Sequence, residues 1–147
     1  MVAVLDDMLC FSLYAASRAM TAAYRPVLEP LGLTYPQYLV LVALWSEGTQ
    51  TVGDLGDRLA LDSGTLSPLL RRLETRGLIE RARRAADERV VEVTLTEEGV
   101  RMRDEMDDVQ PRIFSCTGLD LDSAHNLISA LHTLTEGLRT TPEATAS

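Results

Sequence analysis

The sequence predicts a mainly α fold with one small β-hairpin, and three observations carry that prediction. Apolar residues recur at helical spacing in long segments near both ends of the chain, from Leu5 to about Leu28 and from about Asp120 to Arg139. Thr or Asp stands just before several such segments, and Gly just after some of them, as helix boundaries require. Between Leu78 and Leu95, β-branched residues flank a polar interruption, the pattern of two paired strands. At 147 residues, with 46% apolar and 24% charged content, the chain is expected to form a single globular domain, 1–147.

The first helix opens near Leu5, with Asp6 or Asp7 as its cap or first-turn acid. From Met8 to Met20 it is apolar nearly all round, and in so small a protein a second subunit is the expected cover. Pro26, Pro30 and Gly32 then break the pattern. Thr34 caps a second helix with Pro36 near its first turn, and this helix ends at Gly48. Two short helical pieces follow, Thr51 to Leu59 and Asp62 to Arg76, the second closed by Gly77. In the second piece Leu66, Leu69, Leu70 and Leu73 form one stripe and turn Arg71, Arg72 and Arg76 toward other faces.

Leu78 to Arg83 and Val90 to Leu95 read as strands joined by the polar connection Arg84 to Arg89. Thr96 starts a further long helix to about Phe114. On the final helix Leu127, Leu131, Leu134 and Leu138 form a seam for helix pairing. Thr140 to Ser147 reads as a frayed tail, and Trp45 and Phe114 as core.

Composition narrows the function. No apolar run reaches the roughly 18 residues a membrane helix needs, and Asp6 and Asp7 stand where a signal peptide would carry bases. A cytoplasmic protein without membrane contact is expected. Two cysteines, Cys10 and Cys116, are too few for a disulfide scaffold. His125 and His132, seven residues apart and without a Cys-x-x-Cys, suit a surface or interface rather than a metal. No metal, cofactor or catalytic residue is expected.

The charge is unevenly placed. The total is −8, and all fourteen bases are arginine. Between positions 58 and 89, however, eight arginines face five acids, a local charge of +3. Phosphate contact depends on the local field, so this segment can bind nucleic acid on an otherwise acidic body. A solvated helix face would have the same composition.

Order separates the two readings. Helix, turn, amphipathic helix with a polar start, then an arginine-rich hairpin is a winged helix-turn-helix, here spanning 49–96. Its second helix is thin enough to enter a major groove. Ser63, Thr65 and Ser67 offer hydroxyls, and the first turn offers unpaired backbone N–H groups, toward bases and phosphates. Arg71 and Arg72 lie one turn on, within reach of phosphate or guanine. Arg89 on the hairpin can enter the adjacent minor groove, oriented by Asp87. Taken singly, each of these residues also fits a helix cap or a solvated surface.

In Leu55 to Leu95, and notably in Asp87-Glu-Arg89 followed by Leu95-Thr-Glu-Glu-Gly99, the chain resembles the MarR-type winged-helix regulators. Leu9 to Met20, Leu33 to Leu41 and Leu61 to Leu69 resemble the organic hydroperoxide resistance regulators within that family. The resemblance implies a homodimeric repressor of a DNA operator, with organic hydroperoxide as inducer. Segments 5–30 and 97–140 would form the dimer. It implies that Cys10 is the peroxide sensor and that Tyr24 and Tyr35 of the partner subunit approach it, with Tyr14 a further aromatic nearby. Some members carry a second cysteine before the last helix that resolves the oxidised sensor across the dimer, and Cys116 matches that place.

Read from the residues alone, Cys10 is ambiguous. The positive end of the helix dipole favours a thiolate there, while Asp6, Asp7 and the apolar Leu9, Phe11 and Leu13 oppose it. A single cysteine on an apolar helix more often acts as an inert small hydrophobe. Two alternatives follow: a regulator that binds a small phenolic or lipophilic ligand between subunits, or a thiol-dependent peroxidase turning over at Cys10.

Overall fold

We describe residues 4–140 of a computed structural model of the chain; the tail beyond Thr140 lies outside the described residues. The chain divides into two compact units, Met1–Gln110 and Pro111–Ser147. The fold is mainly helical with a small sheet, as the sequence predicts. No single helix among the described residues is long and apolar enough to cross a membrane.

The first unit opens with a 3-10 turn, Leu5–Asp7, and then helix α1, Leu9–Leu28. Neither Asp6 nor Asp7 caps α1: the 3-10 turn takes up both, and Met8 stands at the N-cap without a side-chain bond. Cys10 therefore lies in the first turn, as the second helical residue. Pro26 stands inside α1, which runs to Leu28 as the sequence predicts. Its fixed φ is helical, and it removes one backbone bond close to an end that a second 3-10 turn, Glu29–Leu31, would close in any case. Gly32, at φ +66°, finishes that turn.

Helix α2, Tyr35–Glu47, starts on a full capping box between Thr34 and Gln37. Strand β1, Gln50–Thr51, leads into α3, Val52–Leu59, and α4, Ser63–Thr75, follows after a tight turn. Thr51 and Asp62 cap these two helices by accepting from Asp54 N and Thr65 N. Leu66, Leu70 and Leu73 of α4 are buried with Leu28, Leu41, Leu44 and Leu55 and form the core, while Leu69, read into the same stripe, is only half-buried. Trp45 does not: it is half-buried, with its indole Nε1 donating to the Gly99 carbonyl at 2.8 Å. A polar edge needs a partner, which keeps the ring at the periphery.

The wing is β2, Ile79–Arg84, antiparallel to β3, Asp87–Leu95. Its turn is shorter than expected, because Arg84 pairs with Asp87 and only Ala85 and Ala86 are left to connect them. Asp87 to Arg89 thus belong to the strand, and an irregularity between Arg83 and Arg84 absorbs the extra residues. Strand β1 adds to the other edge of β3, through Gln50 with Val93 and Thr51 with Glu92. Two residues carry no alternation, which hides this strand from the sequence.

Helix α5, Glu97–Glu105, is capped by Thr96, whose hydroxyl also donates to the Gly77 carbonyl at 2.5 Å. The long helix expected to Phe114 is instead broken at Met106–Asp108, and α6 runs Val109–Cys116. The break places Pro111 in a first turn, where its missing N–H costs nothing. It also ends α5 among Asp104, Glu105, Asp107 and Asp108, acids that oppose the dipole at a helix C-terminus. Phe114 is half-buried rather than core. In the second unit Gly118, at φ +69°, turns the chain into α7, Leu121–Thr140, where Asp120 accepts from Ser123 N at 2.7 Å. No residue of α7 is buried, and Leu127 and Leu138 stand 49% and 69% exposed.

Gly99 fixes α5 against the wing. A Cβ there would lie 2.1 Å from the Leu78 carbonyl oxygen, an atom that already accepts from Thr96 N at 3.1 Å. Gly99→Ala is expected to destabilise the fold by about 1–3 kcal/mol through overpacking, read as a lowered urea midpoint. An unchanged midpoint would show that α5 can slide.

Candidate nucleic-acid interface and thiol site

Helix α4 and the wing carry the residues expected to meet DNA. Ser63 and Thr65 are exposed, and their hydroxyls have no partner among the described residues. The open first turn expected from sequence is corrected in one respect. Asp62 already takes the Thr65 N–H at 2.8 Å and sets a negative charge at the helix start, so this end is not a bare anion site. Ser67 is half-buried beside a cleft of about 480 Å³ between α4 and the wing, lined also by Val52, Leu70, Arg81, Arg89 and Val91.

The arginines sort by partner. Arg58 pairs with Glu47, Arg84 pairs with Glu92 at 2.8 Å, and Arg83 donates to the Glu88 carbonyl at 2.8 Å. Arg81 forks onto Glu74 at 2.6 and 3.0 Å, and these hydrogen bonds hold the Glu74 carboxyl below its usual range. Arg76 donates to the carbonyls of Gly32 and Leu31 at 2.7 and 2.9 Å. Arg71 and Arg72 are exposed and have no partner among the described residues. Arg89 is not at the hairpin tip but third in β3. Its backbone N and Nε both donate to Asp87, at 3.1 and 3.3 Å, and its side chain is 93% exposed. Between positions 58 and 89, the guanidiniums without a partner among the described residues are therefore Arg71 and Arg72. They are joined by Arg89, which is paired with Asp87 but almost fully exposed, and these are fewer charges than the raw count.

Cys10 is a free, exposed thiol on α1. The apolar enclosure expected around it is absent within one chain. Leu9 is 62% exposed, and Phe11 and Leu13 are half-buried. Tyr14 is also exposed, under an Arg18 guanidinium 5.6 Å from its ring centre. Tyr24 and Tyr35 pack with ring centres 4.6 Å apart and planes tilted by 45°. Tyr38, which sequence reading passed over, completes the cluster at 5.6 Å from Tyr24. Gln110 ties it together, accepting from the Tyr24 hydroxyl at 3.4 Å and donating to that of Tyr38 at 2.9 Å. In the second unit Cys116 is a free, exposed thiol at the end of α6, and His125 and His132 are exposed on α7.

The family described as transcriptional regulator SarA/Rot matches residues 22–106. The organic hydroperoxide resistance transcriptional regulator of Bacillus subtilis is 46% identical over 91% of each chain. The chain belongs to the MarR-type family, in its organic hydroperoxide resistance regulator subfamily. It is a DNA-binding transcriptional regulator with a winged-helix fold. AbfR of Staphylococcus epidermidis is a close structural neighbour. Its reduced form bound to DNA is 37% identical, covers 91% of this chain and 94% of that one, and gives a TM-score of 0.77. Overoxidised AbfR bound to DNA, at the same identity and coverage, gives 0.75. Disulfide-formed AbfR, 37% identical and covering 92% and 90%, gives 0.62.

In this regulator burial pushes the Tyr24, Tyr35 and Tyr38 hydroxyls up, helped in Tyr24 and Tyr35 by neighbouring phenols. Each phenol is thus harder to ionise in the folded state. Their contribution to stability is complete below about pH 10, the ordinary tyrosine value, and is lost as pH rises through the raised folded values. The melting temperature should fall in that window, and Tyr24→Phe with Tyr38→Phe should flatten the fall. An equal slope in the double variant would place the alkaline loss elsewhere.

Proposed function

We propose that this regulator is a homodimeric repressor of a pseudopalindromic operator, released when organic hydroperoxide oxidises Cys10. Segment 49–96 acts as the DNA-binding lobe, with Ser63, Thr65, Ser67, Arg71, Arg72, Asp87 and Arg89 at the interface. Segments 5–30 and 97–140 pair with the second subunit in the cytoplasm, and no cofactor is needed. The observation that carries this reading is Cys10 itself: a free thiol in the first turn of a helix whose apolar residues stand open in the single chain. A partner that covers Leu9 and Tyr14 would also bring an apolar wall to the thiol. Such a wall suits an organic peroxide better than hydrogen peroxide.

The chemistry balances in two steps. The Cys10 thiol attacks the peroxide, an S–O bond forms as the O–O bond breaks, and the sulfenic acid and an alcohol result. The Cys116 thiol then attacks that sulfur, forming S–S and releasing water. Overoxidised AbfR is bound to DNA. Overoxidation is thus compatible with DNA binding in that neighbour, which favours a disulfide as the releasing state here. The lower likeness of this chain to disulfide-formed AbfR, 0.62 against 0.77 for the reduced DNA complex, supports a change of shape between the two. The test is a DNA-shift titration of wild type and Cys10→Ser with cumene hydroperoxide and with hydrogen peroxide.

A second reading has its own observation, a cleft of about 350 Å³ lined by Arg25, Leu28, Leu33 and Tyr35. A small phenolic ligand seated there would release DNA without any thiol, and Cys10→Ser would then respond as wild type does.

On the DNA side, Arg89→Ala is expected to weaken operator binding by about 1–3 kcal/mol. Half-sites should lie about 10 base pairs apart. Affinity should fall steeply with salt despite the −8 total, because the exposed arginines govern counterion release. A shallow salt slope, or full affinity in Arg89→Ala, removes the wing from this account.

A further inference from the structure

We infer that Arg76 is a positioning residue, a strut that sets the recognition helix α4 by holding it to the turn between α1 and α2. The inference rests on the proposed redox repressor and names the part that links its thiol site to its DNA site. Arg76 stands at the C-cap of α4, inside the arginine-rich window, yet its guanidinium is committed to backbone carbonyls. Nη1 donates to the Gly32 carbonyl at 2.7 Å and Nη2 to the Leu31 carbonyl at 2.9 Å. These are charge-assisted bonds in a planar fork, a geometry that arginine provides and lysine does not.

The receiving turn is shaped for this contact. Gly32 takes φ +66°, and a Cβ built on it would lie 3.4 Å from the guanidinium, so the fork packs directly against the glycine. Leu33 N donates back to the Leu28 carbonyl at 3.1 Å, which closes the turn into a rigid unit. That unit ends at the Thr34 capping box, directly before Tyr35, and begins four residues after Tyr24. The packed Tyr24–Tyr35 pair and the end of α4 are therefore joined through one short, hydrogen-bonded turn. A displacement of the tyrosines is passed to α4 at its C-terminal end. At the other end, about 20 Å away along a 13-residue helix, lie the residues that meet the bases.

Two variants and three measurements test the strut. Reduced and cumene-hydroperoxide-treated protein are titrated on operator DNA across salt, for wild type, Arg76→Ala and Arg76→Lys, with circular dichroism on each. The strut requires the oxidised-to-reduced Kd ratio to shrink about five-fold or more in Arg76→Ala. Arg76→Lys, with one bond in place of two, should fall between. It also requires an unchanged salt slope, whereas a phosphate contact by Arg76 in each half-site would lower that slope by about two, one per subunit. If Arg76→Ala does not fold, Arg76→Lys alone decides: a reduced ratio supports the strut, and a wild-type ratio overturns it. A wild type that keeps its DNA after peroxide treatment overturns the redox reading itself. A wild type that releases, beside variants that release equally well, overturns only the strut.

Discussion

Cys10→Ser is expected to fold, dimerise and bind the operator as the reduced wild type does, and to keep that DNA through peroxide treatment. The Cys10 thiol is exposed and has no hydrogen bond among the described residues, so a nearly isosteric serine disturbs no side-chain hydrogen bond within the chain. An alcohol cannot form a sulfenic acid, so the first step of the switch is removed while the DNA-binding surface is untouched. Wild type should lose operator affinity by at least ten-fold on oxidation, within the usual range for coupled sites, and Cys10→Ser should lose none. One equivalent of cumene hydroperoxide should be consumed per wild-type subunit. Sustained consumption with a thiol reductant would instead mark a peroxidase. Release of DNA by oxidised Cys10→Ser would move the sensor to another residue.

The DNA lobe was largely legible in the sequence because its signals are local. Thr34, Asp62 and Thr96 each stand one residue before a helix and accept from its first turn, and the leucine stripe of α4 turns inward as its spacing demands. Gly77, at φ +75°, ends α4 where a C′ glycine should. What escaped was set by contacts distant in sequence. Strand β1 exists only because β3 offers it an edge, and Arg76 looks like any other surface arginine until the turn at Gly32 folds back against it. Tyr38 carried no motif of its own, and its role is visible only through its ring contact with Tyr24 and the bond from Gln110, 72 residues away.

The thiol site was legible in identity but not in environment. Leu9, Phe11 and Leu13 suggest an enclosed cysteine, whereas in one chain the helix start is open. Apolar sequence reports that a surface is to be covered, not by which chain. The same holds for Leu127 and Leu138, which keep the heptad spacing of a seam while remaining exposed. The α5 break was missed for another reason. Helical periodicity runs through Met102, Met106 and Val109, all buried, so the apolar pattern continues where the backbone does not. Pro111 and the paired acids Asp107 and Asp108 were the signals against continuity.

Cys116 gives the sharpest division between mechanisms. If it resolves the Cys10 sulfenic acid of the partner subunit, oxidised wild type should run as a covalent dimer on a non-reducing gel and return to monomer with dithiothreitol. A disulfide requires Cα atoms within roughly 7 Å. Cys116 is the last residue of α6, followed by a turn at Gly118, so the backbone that must carry it is a helix end and not a helix middle. Drawing that end to the partner's first helix would reset the spacing of the two recognition helices. A shift of a few ångströms suffices, since both must fit successive major grooves about 34 Å apart. Cys116→Ser should therefore still consume peroxide at Cys10 but form no covalent dimer, leaving the sulfenic acid open to small thiols or to further oxidation. It should also stay on the operator under peroxide alone, because sulfur oxidation without the crosslink does not move α6. A covalent dimer that persists in Cys116→Ser would take the resolving role from this residue. Release of DNA by the oxidised variant, or an oxidised wild type that stays monomeric on the gel, would assign the switch to Cys10 acting without a second cysteine.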